Sequence, residues 1–522
     1  MKDKARSLAH GLLLACAALF AGCASAPRVE PGPPSHAIPI GESAFLDREI
    51  QKELADKPGI SAVRLVQQNP LAFAYRLSTA RRAERSLDVQ YYIWHGDYTG
   101  KLLASELVLA AGRGVRVRVL LDGLDMRGRN AWLAVADQHP NLEVRIFNPF
   151  LGSPLGLVGE LLQRGGRLNH RMHNKVWIAD NRVAIVGGRN IGDEYFGASE
   201  HANFSDTGLV IGGPAVAQAS EAFDLYWNSD IVIPIAALVE VAPTTADLDR
   251  LQRDTLEYQM QANEAPFAVA LRDPQRLAER LAMRPPLIEV HDVRVLADDP
   301  AKIESKDRGV RASRVLEGVS QMMQQAQYEV LIVSPYFVPG DAGVATLIAA
   351  VQRGVRVAVL TNSLAATDVV GVHAGYAKYR KALLEGGVEV FEMKRTAERE
   401  LDRQRISWTG SSKASLHTKT VVVDRRWAFV GSMNLDPRSV NINTEMGALT
   451  DSPELAGQLA EQFSQTTSPE VSHRVCVDEK GKLAWHDREA DRERVLHNEP
   501  DASASRRFIA SLLRLLPIES QL

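Results

Sequence analysis

Cysteine is nearly absent: the chain has three in 522 residues, Cys16, Cys23 and Cys476, spaced for neither a disulfide framework nor a metal cluster. An excess of charge of one sign is missing too. Sixty-one basic residues stand against 64 acidic ones for a net charge of -3, so no global basic field points to nucleic acid. Long apolar runs are lacking as well; the one near the start, Leu12 to Phe20, is too short for a good membrane span. The rest is ordinary for a globular protein, with 45% hydrophobic and 24% charged residues, and the length suggests two to four domains.

The opening MKDKARSLAHGLLLACAALFAGCASA combines basic Lys2, Lys4 and Arg6 with that short apolar run and then small residues. It reads as a signal peptide over residues 1–22. Phe20-Ala21-Gly22-Cys23 resembles a bacterial lipoprotein cleavage box, which implies an acylated Cys23 and a stable lipid anchor. Ala24, rather than an aspartate, resembles the form directed to the outer membrane, so the expected place is the periplasmic face of that membrane. Residues 23–59 follow as a tether and N-terminal extension, rich in proline and small residues up to Pro39. Cys476 would then be the sole thiol, with no internal disulfide.

What is present is a repeat. HRMHNKVWIADNRVAIVGGRN, from His170 to Asn190, is echoed by HTKTVVVDRRWAFVGSMN, from His417 to Asn434. His173, Lys175 and Asp180 share their spacing with His417, Lys419 and Asp424, and Gly187, Gly188 and Asn190 match Gly431, Ser432 and Asn434. The flanks repeat as well: RSLDVQYYIW matches YEVLIVSPYF, RGVRVRVLLDG matches RGVRVAVLTNS, and NLEVRIF matches GGVEVFEM. Strand-like and helix-like stretches alternate in both copies, which predicts an α/β fold with one parallel or mixed sheet per half. At about 240 residues the period is too long for a solenoid, and a duplicated domain is the simpler account. The expected domains are 60–235 and 307–470, joined by a helical connector over 236–306 that wraps the outside, with a C-terminal extension over 471–522.

Residues two apart in a strand project to one face, so His173 and Lys175 point together, as do His417 and Lys419. Asp180-Asn181-Arg182 and Asp424-Arg425-Arg426 read as hairpin turns, and the two aspartates, though part of the catalytic motif, are expected to fix those turns rather than carry protons. Gly188 and Ser432 would let backbone approach a ligand, and Asn190 and Asn434 would offer it amide donors. Two facing sets make a cationic pocket with two titratable bases, suited to a phosphodiester: lysines neutralise charge, one histidine attacks phosphorus, the other protonates the leaving oxygen. No metal or other cofactor is expected, because the lysines supply the positive charge. Asp206 and Glu445, each on the strand after its hairpin, are the candidates for orienting His173 and His417 respectively.

The two His-x-Lys-x4-Asp copies with their glycine and asparagine tails resemble the phospholipase D superfamily, over nearly the whole chain. RMHNKVWIADNRVAIVGGRNIGDEYF, YYIWHGDYTG, LDPRSVNINTEMG and LPIESQL resemble, more closely, the class C cardiolipin synthases. The superfamily resemblance implies duplicated α/β/α sandwich domains with the active site at their interface. It implies a phosphohistidine intermediate on His173, with His417 as general acid and then base, and phosphate binding by Lys175, Lys419, Asn190 and Asn434. The class C resemblance implies phosphatidylethanolamine as donor and phosphatidylglycerol as acceptor, giving cardiolipin. Phospholipid substrates and a membrane surface are therefore the expected partners, and nucleic acid is not. Hydrolysis of phospholipid to phosphatidic acid, cleavage of nucleic acid, and a non-enzymatic envelope scaffold are the competing readings. SRRFIASLLRLLPIESQL at the C-terminus is spaced either for the lipid interface or for packing on the core.

Overall fold

The computed structural model describes residues 32–522 apart from 55–56, 58, 127, 151–167, 266, 270–286, 308–312, 396–413 and 490–491. The proposed signal peptide and Cys23 lie outside the described residues, as does the start of the tether. Among the described residues no helix is long and apolar enough to cross a membrane.

Two large sheets carry the duplication. The first runs Ile288–Val290, Ser61–Val66, Gly208–Gly212, Val183–Gly187, Val176–Ala179, Ser86–Tyr91, Arg116–Asp122, Leu142–Phe147 and Val232–Pro234 in order of neighbours. The second runs Asp292–Ala297, Met446–Asp451, Trp427–Gly431, Thr420–Val423, Glu329–Val333, Arg356–Asn362, Glu389–Met393, Ser472–Val477, Leu483–Glu489 and Arg492–Leu496. In each sheet three adjacent strands are parallel (Ser86–Tyr91 through Leu142–Phe147; Glu329–Val333 through Glu389–Met393), with the motif hairpin antiparallel beside them. This is the expected duplicated α/β architecture.

The alternation within each hairpin builds the layers. Val176 and Ile178 face a core shared by the two halves, whereas Trp177 and Ala179 face the outer helices of the first half. In the second half Val422 faces the shared core, and Val421 and Val423 face outward. Helices Ala215–Trp227 and Pro453–Thr466 supply Val216, Phe223, Leu459 and Phe463 to that shared core. The halves are therefore bound through buried apolar surface, the strongest favourable term in association.

The segment boundaries differ from those expected. Helix Thr245–Ala262 of the connector packs against helix Tyr98–Gly112. Its last part instead enters both sheets, Ile288–Val290 pairing with Ser61–Val66 and Asp292–Ala297 with Met446–Asp451. Asp292–Ala297 occupies the sheet position that Ser61–Val66 holds in the first half, so the second unit begins before residue 307. Likewise Ser472–Val477, Leu483–Glu489 and Arg492–Leu496 continue the second sheet rather than extending from it.

Candidate active site

Each hairpin places its histidine and lysine at the carboxyl ends of the parallel strands. Gln90, at the end of its strand, pairs with Val176, one residue beyond Lys175; Val333 pairs with Thr420, one beyond Lys419. The turns at the opposite end are tight, with Asp180 and Asn181 at φ 53° and 54° and Asp424 and Arg425 at 53° and 48°. Positive φ at both central positions is the type I′ geometry that matches strand twist. Asp180 accepts hydrogen bonds from the backbone N–H groups of Glu84, Arg85 and Ser86, and Asp424 from those of Gln327, Tyr328 and Glu329. Both aspartates thus pin the start of the central strand to the hairpin turn, at the end of the strand remote from the histidines. They do not belong with the reacting groups.

The acids that hold the histidines are crossed between the halves. His173 Nδ1 lies 2.9 and 3.0 Å from the carboxylate oxygens of Glu445, and His417 Nδ1 lies 2.6 Å from Asp206 Oδ2. This corrects the expected pairing of each histidine with the acid of its own half. The reason is backbone register. Met172 bridges to Thr444 in parallel, and Ala414–Leu416 pairs with Asn203–Ser205, so the residue before each histidine sits beside the residue before the opposite acid. The His173 N–H donates to Thr444 O at 2.9 Å, and the His417 N–H to Ser205 O at 2.8 Å. Asp122 and Asn362, the last residues of equivalent strands, clamp Met172 and Leu416 from behind.

Lys175 donates to the His173 carbonyl at 2.6 Å, and Lys419 likewise to that of His417. All four side chains are buried. Burial and then the two ammonium groups push the His173 imidazole well below its ordinary range. His417 is lowered by the same causes, but the ionised Asp206 opposes them. Asp206 is itself lowered, because the His417 and Lys419 charges outweigh its burial. The acid beside it thus gives His417 the better-supported positive charge of the two imidazoles. Glu445, fully buried, is pushed up to about 7 against the pull of Lys175 and Ser432, and burial lowers Lys419 to about 8. The rings of Tyr92 on His173 and of Tyr195 and Phe204 on His417 complete the walls, with centroids 5.1 to 5.3 Å apart.

Three expected ligand contacts are used differently. Gly188 makes room for an acid: a Cβ there would sit 2.7 Å from Asp206 Oδ1. Ser432 at the matching position donates to Glu445 and accepts from the Met446 N–H at 3.0 Å. The Asn190 amide is committed within the protein, accepting from the Ile93 N–H at 3.3 Å and donating to the Tyr195 hydroxyl at 3.0 Å. Asn434 differs, its side-chain oxygen being buried without a partner among the described residues. Sequence reading missed Asp298, whose carboxylate accepts from the Glu445 N–H at 3.2 Å and from Lys302 at 2.7 Å. Asp298 lies at the end of Asp292–Ala297, a strand with no counterpart motif to mark it. Among the described residues one group, His95, Asp97 and Glu194, brings metal-ligand atom types within 4.8 Å of one another. Asp97 there caps a helix through the Gly100 N–H, and Glu194 pairs with His95 at 3.1 Å, so local structure accounts for the group.

Two crossed histidine–carboxylate pairs with attendant lysines, at the seam of duplicated α/β domains, define a phospholipase D-like protein. Phosphatidylserine synthase of Haemophilus influenzae Rd KW20 shares the fold, with a TM-score of 0.56 at 14% identity over 91% of this chain and 99% of that one. Residues 77–227 and 319–467 match the family described as cardiolipin synthase, PLD-like domain. The chain is 41% identical over 473 residues to cardiolipin synthase C of Escherichia coli (strain K12), covering 88% of this chain and 96% of that one. Cardiolipin synthase 2 of Staphylococcus epidermidis (strain ATCC 12228 / FDA PCI 1200) is 26% identical over 78% of this chain and 67% of its own length. The chain belongs to the cardiolipin synthase family with PLD-like domains.

Proposed function

We propose that the protein is a phosphatidyltransferase that makes cardiolipin, with phosphatidylethanolamine as donor and phosphatidylglycerol as acceptor. The observation that carries the mechanism is the crossed, unequal pair: His173 Nδ1 on Glu445, whose carboxyl is raised, opposite His417 Nδ1 on Asp206, whose carboxyl is held low. His173 Nε2 attacks phosphorus while its Nδ1–H stays on Glu445. The N–P bond forms, the P–O bond to the headgroup breaks, and His417 gives its proton to the departing oxygen. The acceptor hydroxyl then loses its proton to His417 and attacks, breaking the N–P bond and freeing His173. Lys175 and Lys419 neutralise the phosphoryl oxygens throughout, and the phosphate charge in turn holds their protons. One phosphodiester is exchanged for another, so the reaction needs no nucleotide.

The reading places the chain at a membrane as a lipoprotein acylated on Cys23, on the periplasmic face of the outer membrane; labelling with radioactive palmitate should mark the unaltered chain and not Cys23→Ala. The activity is tested by incubating the protein with labelled phosphatidylethanolamine, with and without phosphatidylglycerol, and resolving the products. Cardiolipin formed only when both lipids are present is expected. Phosphatidic acid formed regardless of acceptor would make the enzyme a hydrolase.

A further inference from the structure

A helix that packs on a protein ordinarily turns its large apolar side chains inward. Helix Ala504–Leu513 does the reverse. Phe508 is 69% exposed, Leu512 52% and the following Leu515 81%, with Ile509 and Leu516 also exposed, and no residue of the helix is buried. The contacts that hold it are polar or small. Ala510 packs against Leu364, Ala365 and Ala502, while Arg506 donates to the carbonyls of Leu364 and Thr367. Arg507 donates to the Glu499 carbonyl at 2.8 Å, and the Glu499 carboxylate is gripped by Arg380 at 2.6 Å. The helix is fixed in place with its greasy face outward.

Its place is equally specific. Residues 363–369 follow strand Arg356–Asn362, whose last side chain clamps Leu416 next to His417. The equivalent stretch of the first half, after Asp122, exposes Leu124 and Trp132. Exposed apolar side chains thus gather at the sheet end where both histidines sit. Between Asp501 and Glu519 the chain has three arginines, Arg506, Arg507 and Arg514, and no acid.

Resting on the phospholipid reading above, we propose that this helix is a membrane-docking element whose apolar face enters the interface of a bilayer bearing anionic phospholipid, bringing the site's mouth against the lipid. Arg506 and Arg507 anchor the helix, while exposed Arg514, with no acid between Asp501 and Glu519, complements anionic headgroups; a wide apolar face beside it is the pattern of interfacial helices.

The test uses the full chain with vesicles of phosphatidylethanolamine and phosphatidylglycerol, and reads no turnover. Leu512→Trp should give added emission that shifts to the blue and is quenched by lipids brominated in the acyl chains. Val241→Trp, at an exposed site elsewhere, should show neither effect. Unshifted, unquenched emission from Leu512→Trp would overturn the proposal, as would burial through self-association without quenching. In a second arm, Leu512→Asp with Leu515→Asp should lower turnover of bilayer lipid about ten-fold and leave turnover of dispersed short-chain lipid unchanged. Equal loss on both substrates would contradict docking.

Discussion

An imidazole attacks phosphorus only through a nitrogen free of its proton, and Glu445 decides which nitrogen of His173 that is. Ionised, it accepts the Nδ1–H and leaves Nε2 bare; protonated, its O–H can instead donate to Nδ1 and leave the proton on Nε2. Because burial lifts this carboxyl to about 7, kcat/KM should fall as pH drops through about 7, and fall toward higher pH as His417 and Lys419, both lowered by burial, lose their protons. Glu445→Gln should lower kcat by about 10³-fold or more and abolish the acid limb, which a pH profile of the variant reads directly. An unchanged acid limb would assign it to another group. Gly188 is a matter of space: Gly188→Ala forces a carbon to within 2.7 Å of Asp206, and the displaced acid should cost about 10²-fold in turnover through His417. Wild-type rates in that variant would show that Asp206 need not stay where it is.

At the scale of elements the hairpins were legible because they alternate with period two and occur twice in register. Asp180 and Asp424 were legible as turn residues for the same reason. Their worth is structural, so Asp180→Ala should lower stability by about 2–4 kcal/mol, because three backbone N–H groups lose a charged acceptor. The midpoint of denaturant unfolding measures this, and an unchanged midpoint would contradict the assigned role. The crossed acids were not legible. Which carboxylate reaches which imidazole is set by Met172 against Thr444 and Leu416 against Ser205, contacts between strands about 210 to 270 residues apart in the chain. Asn190 was misread because the spacing that marks it is equally met by a bond to Tyr195, five residues on.

In the whole molecule the duplication was visible, but its edges were not. Asp292–Ala297 resembles a connector by composition and becomes a strand only when Met446–Asp451, about 150 residues later, lies beside it. The same pairing brings Asp298 to Glu445, so the stretch between the motifs takes part in the site. The shared core, with Val176, Ile178 and Phe223 from one half and Val422, Leu459 and Phe463 from the other, ties the halves into one unit. Calorimetry should therefore show a single cooperative transition; two resolved transitions would mean that the halves stand alone.

The mechanism turns on His173 carrying the phosphatidyl group. Rapid mixing with donor lipid, denaturation at alkaline pH and mass spectrometry of the peptides measures that directly. A phosphatidyl adduct on His173, absent from His173→Ala and formed slowly in His417→Ala, is the predicted result. An adduct on His417, or a normal adduct in His173→Ala, would reverse the roles of the two histidines.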